Sequence, residues 1–209
     1  HILCETEPEA HGLQGRRLDG HPGWLYRTKG EPESMRQLLT DFGLELEEAA
    51  ACFDLELPLL MACIGIEATR LRGDRLRFDP RCVREEPGYL SDARTPNKVS
   101  PGLMQTLLST AQDMLPRVPY LPDGVLTRED LFVPRYSIGL GAAYMRWQMD
   151  RLESDEEWPS DPILNCVAAY NAGSVRYTPH NRWHLITYSD TRIDRFIAWH
   201  NDALEVING

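Results

Sequence analysis

The residue best placed to do chemistry is Glu67, the first charged group after Pro58 in the run Leu57-Pro58-Leu59-Leu60-Met61-Ala62-Cys63-Ile64-Gly65-Ile66-Glu67. Every position from Leu59 to Ile66 is apolar or glycine, which predicts a helix buried on all sides. Pro58 suits its first turn, and the run is far too short to cross a bilayer. A carboxyl carried to the end of such a helix is costly unless it is paired or protonated. Apolar surroundings favour the neutral acid, the form able to serve as a general acid near neutral pH. Spacing alone equally allows a plainer reading, in which the helix emerges into solvent at Glu67 and the charge is free. Other constellations are thin. His180 and His184 have an H-x₃-H spacing, but Pro179 and the lack of an acidic neighbour argue against a zinc site. There is no G-x-S-x-G, no phosphate-cradling glycine loop and no H-E-x-x-H. No metal and no cofactor are expected.

Several elements must position that carboxyl. Residues 1 to 32 hold Pro8, Gly12, Gly15, Gly20, Pro22, Gly23 and Gly30 without a helical or strand period, so an irregular arm is expected, pinned by Trp24-Leu25-Tyr26. Glu33–Phe42 and Leu44–Phe53 read as two short helices, the first with Met35, Leu38, Leu39 and Phe42 on one face. Arg70–Val99 is charged and punctuated by glycine and proline, a loop-rich insertion with short strands near Arg75–Phe78 and Cys82–Arg84. Its place right after Glu67 suggests the wall of a cleft. Thr106–Leu115 reads as a helix, Thr127 with Asp130 as an acidic capping box, and Tyr136–Leu152 as the longest helix. Gly139 and Gly141 in that helix suggest close approach of another backbone. Asp161-Pro162 starts a further helix that Gly173 stops. Ser189 or Asp190 is expected to cap the last one, whose face is Ile193, Ile197, His200 and Leu204.

Length and composition bound the function. The 209 residues suffice for one sizeable core, and the apolar content of 42% is ordinary for a soluble globular chain. A net charge of −10 argues against nucleic acid, whose binders carry a basic patch, and gives no electrostatic pull towards an anionic cell surface. No apolar run approaches the ~20 residues of a membrane span. No charged-then-apolar signal segment opens the sequence, which starts at His1, so a processed or trimmed product stays open. Cys52, Cys63 and Cys166 lie in apolar helical stretches and are expected to be buried thiols, while Cys4 and Cys82 could close one disulfide in an oxidising compartment.

Three separated pieces stand in a telling order: the apolar helix ending in Glu67, then Gly102-Leu103-Met104-Gln105, then Ala168-Ala169-Tyr170-Asn171-Ala172-Gly173. Together they resemble the lysozyme-like lytic transglycosylases, relatives of the goose-type lysozymes. That family's pattern is a helix ending in Glu-Ser, then Gly-Leu-Met-Gln, then Ala-Tyr-Asn-Ala-Gly. Phe53-Asp54-Leu55-Glu56-Leu57-Pro58-Leu59-Leu60 is similar to the family's lead-in, and Asp190-Thr191-Arg192 to its Glu-Thr-Arg before the last helix. The chain departs from the pattern in three places. Ala68 stands where the family has Ser, 32 residues separate Glu67 from Ser100, and Asp194 stands where a Tyr follows Glu-Thr-Arg. Tyr188 or Tyr177 could take the place of that Tyr.

The resemblance implies a mainly α (α+β), lysozyme-like fold with a central buried helix and a small β-element. The irregular arm covers 1–32 and the catalytic domain 33–209. It implies Glu67 as the catalytic acid, Met104 and Gln105 lining a sugar-binding cleft, Ser100 as a substrate-binding serine, and Tyr170 and Asn171 holding the carboxyl and the scissile sugar. The expected activity is peptidoglycan lytic transglycosylation at the N-acetylmuramic acid–N-acetylglucosamine bond, with Glu67 as single acid and base. A muramidase using a second carboxylate is the alternative, with Asp92 and Glu86 first among Asp74, Asp79, Glu85, Glu86 and Asp92 of the insertion. A non-catalytic peptidoglycan-binding domain is the alternative of another class. The partner would be peptidoglycan glycan strands in the periplasm or outside the cell. The delivery route, and any inhibitor or immunity protein, stay open.

Overall fold

A computed structural model describes residues 2–6, 24–28, 32–72, 75–153, 161–181, 183–189 and 191–209, with backbone alone at 2–6, 24–28, 69–72, 75–77 and 153. The described residues form helices with small two-stranded sheets between them, the mainly α (α+β) class expected. Helix α1 (Glu33–Phe53) unites the two short helices read from the sequence. The break survives only as a kink at Phe42 (φ −136°, ψ 20°), beside Gly43. No proline lies there to end the helix, and the backbone ladder resumes after one irregular residue. Asp54, in the left-handed region at φ 50°, then turns the chain. Aspartate tolerates that conformation better than most residues.

Helix α2 (Leu57–Glu67) begins as expected, with a proline in its first turn, and is buried at every position from Pro58 to Glu67. Its most extensive partner is α7 (Arg192–Asn208), whose buried face includes Ile193, Ile197, His200 and Leu204 as the spacing predicts. The two helices approach closely at Gly65, where an added Cβ would lie 2.7 Å from the ring of Trp199. No side chain larger than hydrogen fits between them there. Helix α7 is preceded by Thr191, which makes no side-chain capping bond, so Ser189 does not fill that place. Asp190 lies outside the described residues. Instead the Arg192 N–H donates to the Ser189 carbonyl at 3.0 Å.

The strands are short. In the stretch read as an irregular arm, β1 (Ile2–Thr6) pairs antiparallel with β2 (Trp24–Thr28), and β2 lies against α7. The arm therefore contains paired backbone that its glycine and proline punctuation hid. Trp24–Tyr26, expected to pin the arm, lies in the strand that meets α7. Directly after Glu67, β3 (Thr69–Arg72) and β4 (Arg75–Phe78) form a second antiparallel pair. A third joins β5 (Val83–Glu85) to β6 (Val99–Pro101), setting Ser100 opposite Arg84. The insertion thus carries strands close to the two positions expected.

Helix α3 (Leu108–Met114) follows the Gly102–Gln105 segment. The Thr127 capping box forms at the start of the one-turn helix α4 (Arg128–Leu131), where Asp130 Oδ2 accepts from the Thr127 N–H at 2.8 Å. Helix α5 (Pro134–Glu153) spans 20 residues, one fewer than the kinked α1, so it is not the longest helix as expected. Helix α6 (Pro162–Ala172) has the predicted aspartate cap, Asp161 Oδ1 accepting from the Ile163 N–H at 2.9 Å, and Gly173 ends it at φ 76°. The main core gathers around α1, α2, α5, α6 and α7, and a smaller cluster lies under α3, α4 and the far side of α5. Cys63, Cys82 and Cys166 are buried free thiols, but Cys52 is exposed, since it lies past the kink on the outer side of α1. Cys82 is therefore unbridged here, and the side chain of Cys4 lies outside the described residues.

Candidate active site

Glu67 ends α2 inside the fold, with 8% of its surface exposed. The reading in which it projects freely into solvent is therefore excluded. Its Oε1 accepts from Arg192 Nη2, and the pair is buried on both sides, with side-chain exposures of 5% and 11%. Arg192 is the first residue of α7, so the pair joins the C-terminal turn of α2 to the N-terminal turn of α7. Burial pushes the Arg192 guanidinium down to about 10, and Arg195 pushes the same way. At that value it remains charged near neutrality. One turn before Glu67, burial raises the Cys63 thiol to about 12, leaving it neutral.

The Gly102–Gln105 segment is a tight turn whose geometry explains its residue types. Gly102 adopts φ 85°, and a Cβ there would lie 2.1 Å from the Leu131 carbonyl oxygen. Gln105 is left-handed at φ 49° and buried, its amide donating to the carbonyls of Cys82 (3.1 Å) and Gly102 (2.9 Å). Its Oε1 is buried without a partner among the described residues. Met104 is fully buried, its N–H donating to Ser137 Oγ at 3.1 Å. Its side chain lies over Gly141 of α5, where a Cβ would come within 2.5 Å of Met104 Cβ. The close approach expected at Gly139 and Gly141 is therefore made by side chains, the Tyr120 ring and Met104, not by another backbone.

Tyr170 of α6 reaches back to this turn. Its hydroxyl donates to the Met104 carbonyl at 2.9 Å and lies 2.9 Å from Thr106 Oγ1, which is then the donor to Tyr170. Burial holds its phenol far above the ordinary tyrosine range, so it stays neutral and able to donate. Asn171 faces the other way, its Oδ1 accepting from the Tyr188 N–H at 3.0 Å. Met104 and Tyr170 share one buried cluster with the last turn of α2 and the first turn of α7. Ser100 is buried in β6.

The second-carboxylate candidates are placed differently. Asp92 is gripped by Arg128, Nε to Oδ2 at 2.8 Å and Nη2 to Oδ1 at 2.6 Å, and accepts from the Tyr89 hydroxyl at 2.6 Å. These bonds hold its carboxyl below the usual range, against a smaller opposing effect of burial. Glu85 also meets Arg128, at 3.1 Å. Glu86 is exposed. Tyr188 is 77% exposed, and Tyr177 bridges to Leu185 within its own loop. A cavity of about 330 Å³ opens between Asp54, Leu55, Glu56, Leu59, Met149 and Ile163, at the end of α2 opposite Glu67, and does not belong to this site. Among the described residues no group of three or more His, Cys, Asp or Glu side chains could hold a metal ion, and no helix is long and apolar enough to cross a membrane.

Two participants were missed in the sequence. Thr106 carries no motif of its own. Arg192 was signalled: a carboxyl expected in an apolar interior requires a counter-charge, and Arg192 ends the Asp190-Thr191-Arg192 segment, the last of the motif series. The sequence model of the transglycosylase SLT domain matches residues 78–190, more than half of the chain. The match includes the Gly102–Gln105 turn and Tyr170–Asn171, begins beyond Glu67 and ends before Arg192. No individual curated protein matched the chain. The chain belongs to the transglycosylase SLT domain family, lysozyme-like lytic transglycosylases whose function is of the peptidoglycan-degrading type.

Proposed function

We propose that the protein cleaves peptidoglycan glycan strands between N-acetylmuramic acid and N-acetylglucosamine, with Glu67 as the single acid and base. The observation that carries this reading is the burial of Glu67 at the junction of α2 and α7, where its α2 neighbours Ile64 and Ile66 belong to the same core cluster as Met104 and Tyr170. In the reaction the Glu67 carboxyl protonates the glycosidic oxygen as the bond to C1 of the muramic sugar breaks. The resulting carboxylate removes the proton of the C6 hydroxyl while O6 closes on C1. A 1,6-anhydro end is formed, and no water enters.

Ser100, Met104, Gln105 and Tyr170 support the carboxyl and shape the wall of the sugar site, with Asn171 steadying the Tyr188 loop at its rim. The one-carboxylate route is favoured over hydrolysis because Asp92 is already committed to Arg128 and Tyr89. A general base for water must be free to accept its proton, ~6.5–9.5 Å from the acid. Function on this substrate places the protein in the periplasm or outside the cell. The 1–32 arm and the 33–209 catalytic unit are proposed as the working division of the chain.

The test is digestion of purified cell walls by wild type and Glu67→Gln, with mass spectrometry of the fragments. Loss of at least about 10²-fold in product is expected for the variant, since a general acid contributes on that order. Fragments with anhydro ends, one water lighter than hydrolysed ends, support the transglycosylase. Hydrolysed ends would give the muramidase, equal product from both proteins would overturn the assignment of the acid to Glu67, and no product from either would leave a binding domain.

A further inference from the structure

Resting on the role just given to Glu67, we propose that Arg192 is a positioning residue that holds the Glu67 side chain inside the fold and keeps it ionised in the free enzyme. The acid step then proceeds only from the fraction of molecules that take up a proton against Arg192.

The argument is geometric. Glu67 could have remained a neutral acid in the apolar end of α2, the environment that by itself favours protonation. Instead its Oε1 accepts from a guanidinium that is itself buried. The contact is built into the helix packing, because Gly65 under Trp199 brings α2 and α7 together and Arg192 lies on the first turn of α7. Cys63 of α2 is neutral, and Arg195 of α7 adds positive charge. Asp194, the remaining ionisable group of that turn, accepts from Trp183 Nε1 at 2.7 Å. From α1 the core receives the apolar Leu38, Leu46 and Ala49. The strands β3 and β4 bring Arg70, Arg72, Arg75 and Arg77, whose side chains lie outside the described residues. Buried Arg192 thus has Glu67 as its counter-charge, and Glu67 has Arg192 as its reason to stay ionised. The family pattern places a tyrosine two residues after this arginine, where the present chain has Asp194.

The experiment compares pH profiles of kcat/KM on soluble glycan fragments for wild type, Arg192→Gln and Arg192→Lys. Activity that requires a protonated Glu67 falls as pH rises through the titration of the pair. Removing the cation should move that falling limb upward by about one pH unit or more, the shift an adjacent opposite charge imposes. Lysine keeps the charge and should leave the limb within a few tenths of a unit. A merely structural arginine would lower the rate at every pH and move no limb. An unmoved limb in Arg192→Gln, or abolition of activity at all pH in both folded variants, overturns the proposal. A second measurement covers variants that fail to fold: the carboxyl titration of Glu67 in wild-type protein carrying ¹³C-labelled glutamate, assigned with Glu67→Gln. Titration below the ordinary glutamate range of about 4.3 supports Arg192 as described, and titration above it overturns the proposal. If Glu67→Gln digests walls as well as wild type, the functional reading fails, while the carboxyl titration still decides the Arg192–Glu67 relation.

Discussion

The phenol of Tyr170 donates to the main-chain carbonyl of Met104 at 2.9 Å, across 66 residues of chain, and Thr106 lies 2.9 Å from the same oxygen. This joint ties α6 to the Gly102–Gln105 turn without help from any main-chain pairing between them. Tyr170→Phe keeps the ring and removes the hydroxyl, leaving a buried carbonyl and a buried hydroxyl unsatisfied. It should destabilise the protein by about 1–3 kcal/mol and lower wall digestion. Urea unfolding and a digestion assay check this. A variant as stable and as active as wild type would show that the joint holds nothing.

The Glu67–Arg192 pair makes a sharper stability prediction. Removing one partner of a buried pair strands the other charge and costs about 3–5 kcal/mol, whereas replacing both with apolar residues of similar size is often near neutral. Glu67→Met and Arg192→Met should therefore each destabilise strongly. The double variant should be more stable than either single one, although inactive. Chemical denaturation of the four proteins measures this, and simple additivity would contradict it.

At Gly65 two effects compete. Alanine there gains roughly 1 kcal/mol of helix propensity, but its Cβ would lie 2.7 Å from the Trp199 ring. Overpacking a dense interior costs about 1–3 kcal/mol, and Trp199 is also held by Phe78, edge-on at 6.1 Å. Gly65→Ala should therefore be destabilising on balance. It should also lower activity, because the same approach brings Glu67 to Arg192. Thermal unfolding and wall digestion together report both effects.

The Asp92–Arg128 clamp predicts a pH dependence. Hydrogen bonding to Arg128 chiefly holds the Asp92 carboxyl below its ordinary value, and the Tyr89 hydroxyl acts in the same direction. The unfolded chain therefore takes up its proton first, near pH ~4. The clamp's contribution is full above that pH and is lost as pH falls through the lower folded value. Asp92→Asn should flatten the stability curve below about pH 4 and cost about 1 kcal/mol at neutrality, the scale of a partly exposed pair. Urea titrations at about pH 2.5, 4 and 7 test it; an unchanged acid slope would refute it.

Some of this was written in local residue types. The apolar run before Glu67 dictated a helix buried on all sides, since no turn of it offers a polar stripe to water. The aspartate cap and proline at Asp161-Pro162 and the Thr127 capping box are contacts between near neighbours, so their spacing specified them. The order of the Gly-Leu-Met-Gln and Ala-Tyr-Asn-Ala-Gly segments was enough to suggest the family, and its sequence model agrees over residues 78–190. Tertiary structure decided the rest. Only the packing of α7 on α2 brings Arg192 to Glu67, 125 residues apart in sequence. Only the folding of the insertion onto α4 commits Asp92 to Arg128. The kink at Phe42 and the pairing of Ile2–Thr6 with Trp24–Thr28 were equally hidden from local pattern. Each depends on partners that the chain brings together through long-range packing, and a residue's local neighbours do not encode which distant charge or strand will face it.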